Sequence, residues 1–340
     1  MGLETGKWRE VCLHDAMQTI LRRVISCVLV GLPWCRDEEC LTAWTRFLHC
    51  LAVAGTILGA VTPWFLRPFL GLLLRIPVDY MRRRSLRTLA PIFIDRWKQI
   101  EEYEKSSFPP RKLPDDFVTW SIQEARKGNM EGKHDAVSLA SEFLFFSIAF
   151  FDAVIGAAEV TMLDLLGTDP PMGYWEKIVE EASATFRTNA HWIHAGSVSK
   201  LACTDSAIRE SLRRNPFSIR NVTREVIWKD GLTLPSGTHL PRGTWLTTAL
   251  ANVHRDARFY AYPTEYRPFR FVAKDSLPIK QEDSTDKASQ PAEAILASTI
   301  DEKFLTFGYG RRAWYGIQLS TRISNFFILA LFVSTYVLTL

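Results

Sequence analysis

Cysteine is nearly missing from this 340-residue chain beyond residue 50: Cys12, Cys27, Cys35, Cys40 and Cys50 crowd the start, and Cys203 stands alone. Six cysteines so placed do not frame a whole secreted domain, so a reducing compartment with buried or half-exposed thiols is expected. Cys35 and Cys40 have no second Cys/His pair at ligand spacing behind them, which argues against zinc. The first residues lack the basic start and apolar stretch of a secretory signal, and Gly6 spoils the myristoylation pattern, so neither export nor acylation is expected. Charge of one sign is also scarce. Lys plus Arg number 41 against 37 Asp plus Glu, a net charge of +4, too weak a field to attract a nucleic-acid backbone; no nucleic-acid partner is expected. No internal repeat is found. Gly308-Tyr309-Gly310 lacks the Gly-Lys-Ser/Thr ending of a phosphate loop and any βαβ context.

What is present is apolar and aromatic. A hydrophobic share of 47% with 23% charged residues excludes disorder, collagen and coiled coil and supports a substantial core. The 21 Phe and 11 Trp point to an apolar ligand pocket or a membrane-contacting surface. Apolar spacing predicts a first helix over 9–30, closed by Gly31-Leu32-Pro33. From Phe47 to Leu74 the chain is nearly uncharged, but Pro63, Pro68 and Arg67 interrupt it, so two short apolar helices are expected. A surface that dips into a bilayer and a buried helix pair both fit that stretch. Arg82-Arg83-Arg84 and the mixed-charge run from Arg96 to Lys105 read as solvated helix faces.

Phe108-Pro109-Pro110 breaks the helix that carries them. The proline-free stretch from Asp135 to Leu166 predicts one long helix buried on most sides. From residue 220 the pattern turns to short β-like runs, Glu225 to Trp228 and Thr244 to Thr248, separated by Gly- and Pro-containing turns. A polar loop from Lys274 to Ala294 and an apolar helix from Gln318 to Leu340 follow. The expected fold is mostly α with a small β subdomain at 220–271, inside one domain covering 1–340.

Glu210 and Arg213 lie three residues apart on a predicted helix that Pro216 ends, so both point to one face. Alone, such a pair reads as an ordinary helix surface. Tyr266-Arg267-Pro268-Phe269-Arg270-Phe271 comes later, then Phe307-Gly308-Tyr309-Gly310-Arg311-Arg312-Ala313-Trp314-Tyr315-Gly316, with His254-Arg255-Asp256, Tyr260 and Pro263 in between. In this order the motifs resemble the cytochrome P450 family of haem-thiolate monooxygenases, most closely those of fungal secondary metabolism; Gly31-Leu32-Pro33-Trp34-Cys35-Arg36 is similar to a segment of those members.

The resemblance implies the cytochrome P450 fold over the whole chain, which would begin inside the catalytic domain and be incomplete at both ends, without an N-terminal anchor region or C-terminal β tail. It implies that Glu210, Arg213 and Arg270 form a buried charge triad. Haem would be the cofactor, with Arg224 and Arg312 donating to its propionates and Phe307, Gly310 and Gly316 shaping the haem loop. It implies a hydrophobic substrate such as a terpenoid or polyketide, and electrons from NADPH-cytochrome P450 reductase. The site of action would be the cytoplasmic side of the endoplasmic reticulum by peripheral contact, or the cytosol for a chain without its anchor.

Two positions depart from the family pattern. The axial cysteine is replaced by Trp314, whose indole offers an N–H donor and no lone pair, and no cysteine follows Cys203. On the long helix the family's oxygen-activating threonine aligns with Ala153, while Asp152 keeps an acid suited to proton transfer. Impaired oxidation is therefore expected. The competing expectation is a non-redox protein that binds an apolar ligand or a partner, or assists a cyclisation by shape and acid. Ser320-Thr321-Arg322 still tracks the family's helix after the loop, which reads as haem-packing or as a terminal membrane span.

Overall fold

The computed structural model describes residues 10–106, 112–128, 135–188, 191, 194–274, 291–314 and 316–325. The chain divides into two compact units, Met1–Asp152 and Ala153–Leu340. The boundary falls inside helix α5, Ala136–Leu166.

The first unit holds α1 (Leu13–Val30), α2 (Glu38–Thr56), α3 (Arg67–Lys105), α4 (Phe117–Arg126) and the start of α5. Helix α1 stops at Gly31, whose φ of +72° and contact with Asp116 exclude a side chain: a Cβ there would lie 2.4 Å from Asp116 Oδ2. Asp37 caps α2 by accepting from the Glu39 and Cys40 amides. The two short helices expected between Phe47 and Leu74 are instead the ends of two long ones. Pro68 sits in the first turn of α3, where no intrahelical N–H is needed, and α3 runs for 39 residues through Pro77 and Pro91.

Packing around Trp44 forms the core. Its Nε1 donates to Ser147 Oγ at 2.7 Å, and its ring meets Phe143 and, edge-on, Phe151. Helix α5 is one long helix as expected but less enclosed, with Phe145, Phe146, Leu163 and Leu166 exposed.

Arg96 corrects the solvated-face expectation. It is 4% exposed; its Nη1 donates to both Asp116 carboxylate oxygens at 2.7 Å and to Thr119 Oγ1. Asp116 also caps α4 through the Thr119 amide. A charge run seen on one helix does not reveal a carboxylate 20 residues away. The thiol expectation changes as well: Cys27 and Cys35 form a disulfide because the turn after α1 folds back, with Cα atoms 4.8 Å apart. Cys12, Cys40, Cys50 and Cys203 remain free, and burial pushes the Cys40 thiol up to about 11.

The second unit contains the rest of α5, then α6 (Tyr174–Thr185), α7 (Ala202–Arg214) and the short α8 (Leu250–His254). Helix α7 has no cap of its own; Glu181 of α6 accepts from the Cys203 and Thr204 amides and from Thr204 Oγ1. The β region forms two separate antiparallel ladders rather than one sheet. β1 (Asn221–Glu225) pairs with β4 (Trp245–Thr248), and β2 (Leu232–Thr233) with β3 (His239–Leu240). β1 begins before the expected run, Val226 to Trp228 falls outside it, and a bulge interrupts it between Asn221 and Arg224. Gly231, Gly237 and Gly243 take positive φ at the three expected turns. Residues 317–325 are helical. The rest of the final apolar segment, most of the 274–294 loop and Phe108-Pro109-Pro110 lie outside the described residues.

Candidate functional site

Helix α7 carries three charges into the interior of the second unit. Glu210 is fully buried and binds Arg213 side-on, Nε to Oε2 at 2.8 Å and Nη2 to Oε1 at 2.9 Å. Arg270 Nε reaches the same Oε2 at 3.1 Å, and the Arg267 amide donates to Oε1 at 3.1 Å. One carboxylate thus meets two guanidiniums and a backbone N–H, the arrangement in which a buried ion pair is satisfied. The remaining guanidinium donors hold backbone. Arg213 bonds the carbonyls of His254 and Pro263, and Arg270 those of Ala261 and Tyr262. The structure brings Glu210, Arg213 and Arg270 together.

Arg209 was not legible in the sequence as a member of this cluster. It is 1% exposed, donates to the carbonyls of Leu296 and Thr299 and to Asp301 Oδ2, and lies between the Phe271 and Phe304 rings at 4.9 and 4.0 Å. Burial pulls its guanidinium pKa down, against the pull of Asp301.

His254 connects the cluster to the loop after residue 303. Its Nδ1 donates to Arg213 O at 3.0 Å, its Nε2 accepts from the Leu305 amide at 3.0 Å, and its ring stacks on Phe304. Thr306 Oγ1 donates to Leu212 O, Asn221 Nδ2 to Leu305 O and Tyr260 OH to Lys303 O, so the approach to the loop is held at several points. Burial holds His254 neutral and lowers its pKa from 6.5 to about 4. The unfolded chain therefore binds a proton between those values that the folded chain refuses. The contribution is whole above about pH 6.5 and shrinks as pH falls to about 4, by about 3 kcal/mol. Urea unfolding of the native chain and His254→Gln across this range is expected to show a steeper acid loss for the native chain; parallel curves would refute it.

The loop itself turns tightly. The Gly308 amide donates to Leu305 O, with Gly308 at φ +84°; Gly310 at φ +63° opens a 3-10 turn to Arg312, and the Trp314 amide donates to Phe307 O at 2.9 Å. Phe307 is buried edge-on against Phe217, and the Trp314 indole stacks on it with centroids 5.7 Å apart and planes 20° apart. The indole also lies close to Gly316, where a Cβ would lie 2.3 Å from Trp314 Cζ2. Phe307, Trp314 and Gly316 therefore form one contact group. Gly310 is exposed, with open space where its Cβ would be.

Other expected site residues stand apart. Arg224 lies within β1, opposite Leu246; it is exposed, and its Nη1 donates to the Thr223 carbonyl at 2.8 Å. The Arg312 side chain lies outside the described residues. Asp152 is exposed on α5 beside the half-buried Ala153, and desolvation by neighbouring groups raises its carboxyl pKa.

The family model described as cytochrome P450 matches residues 14–340. The chain is 66% identical over 328 residues to the cytochrome P450 monooxygenase nodZ of Hypoxylon pulicicidum, covering 96% of this chain and 59% of that protein. It is 33% identical over 324 residues to the cytochrome P450 monooxygenase polB of Polytolypa hystricis, covering 94% of this chain and 61% of that one. It thus spans less than two thirds of the length of these relatives. Among solved structures, the retinoic acid bound cyanobacterial CYP120A1 matches with a TM-score of 0.63 at 18% identity, over 96% of this chain and 64% of that one, a likeness of fold. With the ordered motifs, the mostly helical fold and these matches in agreement, the chain belongs to the cytochrome P450 family.

Proposed function

We propose that this chain is built on the plan of a haem-dependent monooxygenase for a hydrophobic secondary metabolite, such as a terpenoid or polyketide, and that its thiolate-driven oxidation is disabled in this form. The observation that carries the reading is Trp314 in the haem loop, stacked on Phe307 and pressed against Gly316. The donor set does not fit haem-thiolate ligation. An indole has no lone pair for iron, no cysteine follows residue 203, and both ring nitrogens of buried His254 are already hydrogen-bonded. Loss of the threonine at Ala153 removes the hydroxyl that would hold a proton relay beside Asp152. Reductase would be the electron donor for a member with the sulfur ligand in place.

Visible absorption tests this directly. Purified in the presence of haem, the native chain is expected to give no thiolate-type ferrous–carbonyl band, and Trp314→Cys to gain one. Such a band in the native chain overturns the proposal. A folded Trp314→Cys chain without the band favours the second reading, a non-redox member that holds an apolar molecule or assists a cyclisation. The raised Asp152 carboxyl supports that reading, because it can carry an acid proton to higher pH.

Peripheral membrane contact is part of the proposal. Trp64, Phe65, Phe69, Leu72, Leu73 and Ile76, at the turn before α3 and along its first turns, are all more than half exposed, a ridge of the kind that dips into the bilayer interface.

A further inference from the structure

We infer that the groove between α2 and α3 binds one long-chain fatty acid, an inference that rests in part on the membrane-facing reading of the neighbouring ridge. The groove measures about 570 Å³, inside the range of about 300–1,000 Å³ for small-molecule pockets. Val53 and Ala54 of α2 and Leu74, Pro77 and Met81 of α3 give it apolar walls, and no acidic residue lines it. Its charge is confined to one end. Helix α2 runs toward the 57–66 turn and α3 runs away from it, so Ala54 and Leu74 mark the end near the ridge, while Arg46 and Met81 share the far end.

Arg46 and His49 are exposed on the groove's edge, and Arg84 follows Met81 by three residues on α3, also exposed. From Arg46 to Ala54 the helix rises about 12 Å. The groove therefore has a cationic end and an apolar length, the complement of a molecule with one carboxylate and one alkyl chain. A guanidinium fork matches the carboxylate, and removal of the chain from water supplies the rest. On α3 the exposed apolar residues Leu73, Ile76 and Tyr80 flank Leu74, Pro77 and Met81, so the chain would enter along a continuous apolar surface.

The probe is cis-parinaric acid, whose fluorescence rises on leaving water, titrated into the whole chain without membranes. Ala54→Trp, which fills the groove, is expected to weaken binding about tenfold or more, and Arg46→Glu, at an exposed position, about threefold or more with loss of salt dependence. Oleate is expected to displace the probe. Native affinity in both folded variants overturns the inference, as does displacement by short-chain phosphatidylserine but not by oleate, which would assign the groove to a membrane lipid. Flotation with phosphatidylcholine–phosphatidylserine vesicles separates the two readings. Ala54→Trp is expected to float like the native chain, and a Trp64→Ser, Phe69→Ser chain to stay in solution with unchanged probe affinity. A native chain that binds the probe but does not float refutes the ridge alone.

Discussion

Glu210→Ala is expected to lower the unfolding free energy by about 3–5 kcal/mol, because it leaves two guanidiniums inside the protein without their shared counter-charge. Arg213 is 0% and Arg270 8% exposed, so neither can turn to water without opening the packing around α7. The carbonyls they hold, at 254, 261, 262 and 263, would lose their fixed donors as the side chains shift. The comparison is Arg258→Ala. That arginine also pairs with an aspartate, Asp256, through Nη2, but its side chain is 82% exposed, and its loss is expected to cost about 1 kcal/mol or less. Urea unfolding of the two variants beside the native chain decides the matter. Equal shifts would show that burial gives the Glu210 cluster no special weight.

Asp116→Ala should be comparably damaging in the first unit, again by about 3–5 kcal/mol for the stranded charge, with about 1 kcal/mol more for the lost helix cap. Asp116 accepts from Arg96 Nη1 with both oxygens and from the Thr119 amide and hydroxyl, all within a buried site. Asp116→Asn keeps an acceptor for the cap and is expected to lose less. If the cost comes from the unpaired guanidinium, the double change Arg96→Met, Asp116→Ala should recover a large part of it, since an apolar side chain has no charge to desolvate. A double variant no more stable than Asp116→Ala would place the cost in the cap and the local packing instead.

Local chemistry alone makes several features legible in the sequence. The helix over Asp135 to Leu166 follows from a long proline-free apolar pattern, and the turns at Gly231, Gly237 and Gly243 follow from glycine's access to positive φ. Glu210 and Arg213 share a helix face by spacing alone, and motif order supplied Arg270. The lone arginines misled. Arg96 and Arg209 stand in runs that look solvated, yet both are buried, because their compensating groups lie on segments 20 or more residues away. Pro63 and Pro68 suggested short helices because a proline is costly in a helix interior; Pro68 falls in a first turn, where that cost does not apply, and α3 accommodates Pro77 and Pro91 within its length.

By itself the sequence determined which family the chain belongs to and which residue types stand at each of its motif positions. Motif order does not depend on the fold, and no cysteine follows residue 203, the fact on which the proposed loss of thiolate-driven oxidation rests. Only the tertiary structure decided which charges are buried, that His254 is held neutral between α7 and the loop, that Cys27 meets Cys35, and that the indole of Trp314 stacks on Phe307 and lies close to Gly316. Each depends on groups distant in the chain coming into contact. Desolvation and pairing energies are properties of those surroundings rather than of the residue.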